Sequence, residues 1–157
     1  MSICCENSFN MFLDFLPSIA IVVSIAGGII GLNQYVENSK MKRAEILGGL
    51  VDKFYFREDF KEVREWLDKG GDNKMSDVEF NNKIDDKVFQ AKFSDYLNYF
   101  QFIVSLKKLA QLKDADIAMM FHYYLLNLKG NESVMKYIKI NGYKELNEYL
   151  TSYQYAK

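Results

Sequence analysis

The chain contains few of the residues that most often carry out chemistry. Its 157 residues include one histidine, one proline and two cysteines. The cysteines, Cys4 and Cys5, are adjacent, so a disulfide between them would be strained and would close no useful loop. Because His122 is the sole histidine, a Cys/His zinc site cannot be assembled within one protomer. We therefore expect neither a metal centre nor a cofactor.

Catalytic signatures are absent as well. The sequence has no G-x-x-x-x-G-K phosphate loop, and none of its serines stands in a nucleophile elbow. His122 lies in the run MMFHYYLL, and a histidine in such a setting is more often a hydrogen-bonded packing residue than a catalyst. We predict that the chain is not an enzyme.

What the chain does have is a long apolar run near its start. Residues 15–36 (FLPSIAIVVSIAGGIIGLNQYV) contain no charged side chain, and as a helix these 22 residues would cross a hydrocarbon core about 30 Å thick. All 20 lysines and arginines follow this run, beginning at Lys40. The positive-inside rule then predicts a single-pass membrane protein with its N-terminus outside and its C-terminal part in the cytosol.

Two other interpretations of this run remain open. A cleaved signal peptide fits less well, because no positively charged n-region precedes the run and no small-x-small cleavage site follows it. A buried core helix is a weaker alternative, because a core helix of this length normally has a polar face. The uncleaved anchor is the interpretation we favour.

Small residues recur along the predicted span. Ala20, Ser24 and Gly28 are spaced by four, and Gly27 with Gly31 forms a G-x-x-x-G pair on a neighbouring stripe. Such smooth faces allow transmembrane helices to pack closely, so these five residues predict self-association of the anchor. The alternative is that glycine is simply common in membrane helices.

The remainder of the chain predicts one all-α domain. Strand-like alternation is absent, and the breaks between apolar-periodic segments carry glycine, Asn or Asp. We divide the chain into an extracytoplasmic N-terminus (1–14), a transmembrane helix (15–36), a stalk helix (37–56) and a compact cytosolic domain of about five helices (57–157). Helices are predicted at 58–69, 78–84, 87–112 and 117–129, then from Asn131 to a break at Asn141–Gly142, and finally over 143–155.

Positive charge is concentrated in the second half of the domain. From Lys87 to Lys157 there are ten basic and six acidic residues, and several tyrosines lie among the lysines. Proteins that bind nucleotides or single-stranded nucleic acid often use lysines to bind the phosphates and tyrosines to stack on the bases. Lysines at helix ends also complement the helix dipole, which is the alternative explanation. An anionic-ligand site is therefore predicted at Lys107 and Lys108, with Arg57, His122 and Tyr124 as lesser candidates. Duplex nucleic acid is not expected as a partner.

Three segments follow the apolar run in a recognisable order. They are MKRAEILGGLVDKFYFREDFKEVREWL, FSDYLNYFQFIVSLKKLAQLKDADIAMMFHYYLL and YIKINGYKELNEYL. This order resembles an uncharacterised family of small bacterial proteins that have one membrane helix and a helical cytosolic domain. The layout also resembles the small membrane effector of type III CRISPR antiphage systems, a tetramer whose cytosolic domain binds cyclic tetra-adenylate.

The second resemblance implies a function. The chain would be a tetrameric antiphage effector that senses a cyclic oligoadenylate and perturbs the bilayer through its membrane helices. Because the ligand has four-fold pseudo-symmetry, each subunit would need to contribute only one modest lysine patch. A membrane-tethered module that recruits a cytosolic protein is the alternative, because aromatic residues make up 15% of the chain and some should remain for an interface. A pore former acting through its membrane helix alone would leave the helical domain unexplained.

Overall fold

The computed structural model describes the backbone of residues 3–69 and 76–154, and the side chains of 24, 27–68 and 76–154. The described residues form seven α-helices and no strand, so the all-α prediction is confirmed. The helices are α1 (Ile3–Phe56), α2 (Glu58–Lys69), α3 (Asp77–Ile84), α4 (Lys87–Lys108), α5 (Asp114–Gly130), α6 (Glu132–Ile140) and α7 (Lys144–Ser152).

Two parts of the sequence-based fold need correction. The predicted count of about five helices was too low, since six helices follow α1 in the described residues. In addition, no helix among the described residues is long and apolar enough to cross a membrane. Half of the span predicted at 15–36 lies on residues whose side chains are outside the described set, and so does the side chain of Ala20.

The chain divides into two compact units, Met1–Glu45 and Ile46–Lys157. The described part of the first unit belongs to α1, and large apolar side chains are exposed along it. These side chains are Ile29, Ile30, Leu32, Tyr35 and Val36. At 100° per residue they point in several directions around the helix, with the amide side chains of Asn33 and Gln34 between them.

Helix α4 is the centre of the second unit. Its predicted apolar stripe is buried against α2, α3 and α7, and the ring of Phe54, from the last turn of α1, lies fully buried beside it. Phe54 contacts Tyr96, Phe100 and Phe121 at ring-centroid distances of 5.2–5.8 Å. The core is therefore largely aromatic, which uses most of the phenylalanines of the domain.

A buried arginine ties the end of α1 to α2. Arg64 donates hydrogen bonds to the backbone carbonyls of Phe54 and Tyr55, and its guanidinium lies 4.8 Å from the Phe54 ring centroid. These carbonyls belong to the last turn of α1 and have no partner within that helix. Arg64 therefore completes the hydrogen bonding of a helix end inside the core.

Several predicted helix boundaries agree with the structure. Helix α3, predicted at 78–84, begins at Asp77 with a capping box of Ser76 and Glu79, and the side chain of Asn131 accepts a hydrogen bond from the Val134 N–H at the start of α6. Gly142 has φ +83°, a conformation that glycine adopts without a steric penalty, and it separates α6 from α7. The predicted stop of α2 at Gly70–Gly71 lies outside the described residues.

Helix α4 is shorter than predicted. It ends at Lys108 rather than 112, because Ala110 turns into the left-handed region at φ +56°. The Gln111 N–H then bonds back to the Leu106 carbonyl at 3.0 Å, which is the closing bond of a Schellman-type end. No glycine marks this turn in the sequence, so the apolar periodicity through Leu109 and Leu112 predicted a longer helix.

Candidate functional site

The second unit contains a cleft of about 610 Å³ where the end of α4, the start of α5 and the end of α7 meet. Its size is typical of small-molecule sites. One side is polar and aromatic, and the other is formed by short or flexible apolar side chains of α5. The lining residues that matter here are Lys107, Asp114, Ala118, Met119, Tyr149 and Tyr153.

Lys107 is the charged centre of this cleft. Its Nζ lies 2.8 Å from Asp114 Oδ1 and 4.8 Å from the centroid of the Tyr149 ring. The ammonium group is thus held by a carboxylate and by the face of an aromatic ring, both of which favour a cation. The sequence-predicted Lys107 does lie in a cleft, although an acidic side chain of the same chain neutralises it.

Tyr149 provides a buried hydroxyl beside that ion pair. The residue is only 6% exposed, and its hydroxyl has no hydrogen-bond partner among the described residues. Burial raises the pKa of Tyr149 well above its ordinary value, and the Asp114 carboxylate, which lies close enough to interact with the hydroxyl although the two form no well-aligned hydrogen bond, raises it further. The hydroxyl therefore stays protonated at neutral pH.

Tyr153 closes one end of the cleft. Its hydroxyl lies 3.0 Å from His122 Nδ1, and its backbone carbonyl accepts a hydrogen bond of 2.8 Å from Lys129 Nζ. His122, on the polar side of α5, thus holds the segment that follows α7. This contact fits the packing role that the sequence indicated for the histidine.

Lys108 points elsewhere, although it follows Lys107 directly. Its Nζ lies 2.9 Å from Glu145 Oε1 at the start of α7, and Glu145 Oε2 also accepts hydrogen bonds from Ser105 and Gln101. The bond from Lys108, with that from Ser105, lowers the pKa of the Glu145 carboxyl, and the same ion pair raises the pKa of Lys108. Lys108 joins two helices and does not line the cleft.

The other two candidates lie near the end of α1. Arg57 Nη2 is 3.2 Å from Asp95 Oδ2, and its guanidinium lies over the Phe60 ring at 4.4 Å. Tyr124 packs edge-on against Phe54 at 4.6 Å, and burial raises its pKa to about 12. The structure therefore does not bring the five predicted residues together into one site.

The small residues predicted for helix packing are exposed where their side chains are described. Ser24, Gly27, Gly28 and Gly31 are all on the surface, and a Cβ atom added at any of the three glycines would meet no other atom within 4 Å. Nothing within the chain therefore requires glycine at these positions.

Three residues that line the cleft were not among those predicted to bind a ligand, namely Asp114, Met119 and Tyr149. The unpartnered hydroxyl of Tyr149 depends on contacts between distant helices, so no local pattern could reveal it. Among the described residues, no group of three His, Cys, Asp or Glu side chains is placed to hold a metal ion.

No protein-family model, curated protein or solved structure matches the chain. We therefore infer the function of the chain from its cleft and from its exposed surfaces.

Proposed function

We propose that the chain is a membrane-tethered helical module that holds a partner protein at a bilayer. The observation that carries this proposal is the exposure of large apolar side chains at two places, residues 29–36 of α1 and one face of α5. All five residues predicted to bind an anion make ion pairs, hydrogen bonds or core contacts within the chain. An interaction role therefore has more support than a strongly basic ligand site.

The tether is supported by the sequence and by the surface of α1. Residues 15–36 carry no charge, and the described apolar side chains between 29 and 36 have no protein neighbour to cover them within their unit. Lipid would cover such a surface on all sides, and Lys40, Lys42 and Arg43 follow immediately, as they do on the cytosolic side of a span. We place the helical domain in the cytosol of a bacterium on this basis.

The partner surface is supported by α5. Met119, Tyr123 and Leu126 are spaced by four and three residues, share one helix face and are all exposed, Met119 by 72%. We call these three residues the α5 apolar face. Clusters of exposed apolar side chains on one helix face are typical of helix-to-protein contacts.

The tether is tested by fractionation of the full chain. It should stay with membranes after an alkaline wash, and the double variant Ile29→Lys with Leu32→Lys should move to the soluble fraction, because a lysine inside a membrane helix is costly, up to about 3 kcal/mol at its centre. Ile140→Lys, at an exposed apolar residue of α6, is the control and should remain with membranes. Recovery of the unaltered chain in the soluble fraction would refute the tether.

The partner role is tested with Met119→Glu plus Leu126→Glu. This variant should keep its helical circular dichroism and membrane recovery but lose a stoichiometric partner that co-purifies with the unaltered chain. Val88→Glu plus Ile140→Glu changes exposed apolar residues on other helices and should keep that partner. Equal partner loss in both variants, or no stoichiometric partner at all, would contradict the proposal.

A cyclic-oligonucleotide effector is the second candidate, and one observation favours it. Lys107, the first residue predicted to contact phosphate, does line the 610 Å³ cleft together with two tyrosines. Under this proposal the chain acts as a tetramer and responds to cyclic tetra-adenylate. Titration of the full chain in detergent with that ligand tests it, and binding that survives Lys107→Gln would not support a site in the cleft.

A further inference from the structure

The cleft between α4, α5 and α7 contains a donor that the folded chain does not use. The Tyr149 hydroxyl is buried and makes no well-aligned hydrogen bond to any described residue, and leaving such a group unsatisfied costs stability. The residue nevertheless forms part of the wall of an open cleft. A ligand that offers an acceptor at this wall would remove the cost.

A second donor lies beside it. Lys107 Nζ is paired with Asp114, but the Asp114 side chain is 63% exposed, so water can solvate its carboxylate when the pair separates. Ion pairs of this exposure contribute little to stability. An incoming anion can therefore replace Asp114 on Lys107 at little cost.

The start of α5 adds a further attraction for negative charge. The helix begins at Asp114, which lines the cleft, and its 17 residues contribute a dipole with the positive end there. An ammonium group, a phenol and the positive end of a helix dipole thus lie at this end of the cleft. Several donors around one point suit a group with several acceptor oxygens.

The opposite side of the cleft suits an apolar body. Ala115 and Ala118 have short side chains that leave space above α5, and Met119 at its rim has a flexible thioether that adapts to flat or irregular surfaces. A bare inorganic anion would leave most of the cleft volume unfilled.

We propose that this cleft binds a phosphate ester of a small apolar or planar molecule. The phosphate oxygens accept hydrogen bonds from Lys107 Nζ and from the Tyr149 hydroxyl, Asp114 is displaced from Lys107, and the esterified body lies on Ala118 and Met119. The inference depends on the cleft alone and requires neither the tether nor a cyclic ligand. A nucleotide and a phospholipid headgroup both have this chemistry.

Two probes separate these sources. The full chain in mild detergent is titrated by calorimetry with adenosine 5′-monophosphate and, separately, with dihexanoyl phosphatidic acid below its micelle concentration. If only adenosine 5′-monophosphate binds, the cleft is a nucleotide site. If only dihexanoyl phosphatidic acid binds, the cleft is a lipid headgroup site. Binding of neither probe overturns the proposal.

Variants then locate the binding. Lys107→Gln and Tyr149→Phe should each weaken binding of the active probe by about tenfold or more, because each removes a hydrogen bond to a charged group. Asp114→Asn should strengthen it, because the competing carboxylate is gone. Unchanged binding in both Lys107→Gln and Tyr149→Phe would overturn the proposal.

The chain offers a matched control for each change. Lys108→Gln removes the neighbouring lysine, which does not line the cleft, and Tyr96→Phe removes another buried hydroxyl without a partner, away from the cleft. Both controls should bind as the unaltered chain does. Tyr96→Phe and Tyr149→Phe both remove an unsatisfied hydroxyl, so both variants should melt at the same temperature as the unaltered chain or at a higher one. A loss of binding confined to Tyr149→Phe therefore cannot result from unfolding.

If cyclic tetra-adenylate fails to bind while adenosine monophosphate binds through Lys107, the effector proposal fails and the phosphate-ester site stands. Partner co-purification is measured separately, so its outcome does not depend on either titration.

Discussion

Ala110 occupies a backbone conformation that residues with a side chain rarely adopt. Its φ of +56° places the Cβ atom close to the following carbonyl, which costs about 1 kcal/mol or more outside glycine. The residue lies in the turn between Lys107 and Asp114, the two members of the ion pair in the cleft. Local strain beside a cleft is a common arrangement at binding sites.

We predict that Ala110→Gly stabilises the domain by about 1 kcal/mol, because glycine adopts a positive φ without a steric penalty. The measurement is urea unfolding followed by circular dichroism. Ala91→Gly, in the exposed middle of α4, is the control and should destabilise by about the same amount, since glycine is a poor helix former. Destabilisation by both changes would mean that the Ala110 turn carries no strain.

The two adjacent lysines of α4 illustrate what residue-level patterns can and cannot predict. Their charge and their place near a helix end were readable from the sequence. Their partners were not, because Glu145 lies 37 residues from Lys108 in the chain and meets it only after α7 has packed on α4. The sequence therefore predicted a cation at the cleft, but not the carboxylates that neutralise both lysines.

At the scale of elements, helices were predicted best where a local chemical signal fixes the boundary. Helix α2 begins at Glu58, as predicted, and Ser76 with Glu79 has the capping-box spacing that fixes the start of α3. The end of α4 was predicted four residues too late, because its turn is made by Ala110 and by backbone bonds that no sequence signal announces. Tertiary packing, rather than local preference, decides such an end.

Glu145 links two elements, and its titration should be visible in stability. Its carboxyl has a folded-state pKa below the ordinary value of 4.5, because Lys108 and Ser105 donate to it. A group with a lowered pKa stabilises the fold above the unfolded-state pKa, and this contribution disappears as the pH falls through the folded-state pKa.

We therefore predict that Glu145→Gln is less stable than the unaltered chain at pH 7 and that the difference shrinks as the pH falls below about 4.5. Unfolding by urea at pH 7 and at several values down to pH 3 measures this. Glu148→Gln, one turn further along α7 and exposed, is the control and should show a smaller difference at pH 7. A pH-independent difference for Glu145→Gln would show that the loss comes from packing and not from charge.

At the scale of the whole molecule, the chain combines a unit with a closed aromatic core and a unit with an exposed apolar surface. The fold class followed from composition and periodicity, since the lack of proline and of strand-like alternation leaves only helices. The core of the second unit also followed, because apolar stripes at helical spacing were visible along each segment. The sequence did not predict what covers residues 27–36, because the periodicity of an apolar surface does not identify the partner that covers it.

Self-association of α1 is the remaining prediction at this scale. Gly27 and Gly31 have no protein atom within 4 Å of an added Cβ, so Gly27→Leu with Gly31→Leu meets no obstacle inside one chain. Leucine also favours insertion into lipid and helix formation. The double variant should therefore fold and reach the membrane, but it should form a smaller oligomer in detergent, because leucines hold neighbouring backbones apart.

The measurement is the oligomer mass by light scattering of the full chain in detergent. Gly48→Ala with Gly49→Ala is the matched control: these glycines are also exposed on α1 with no atom near an added Cβ, but they follow the first basic residues and lie beyond the proposed span. The control should keep the original mass. An equal mass for all three proteins would assign assembly to another surface, and the α5 apolar face would then be the next to test, because it is exposed on the helical domain and needs no contact within the bilayer.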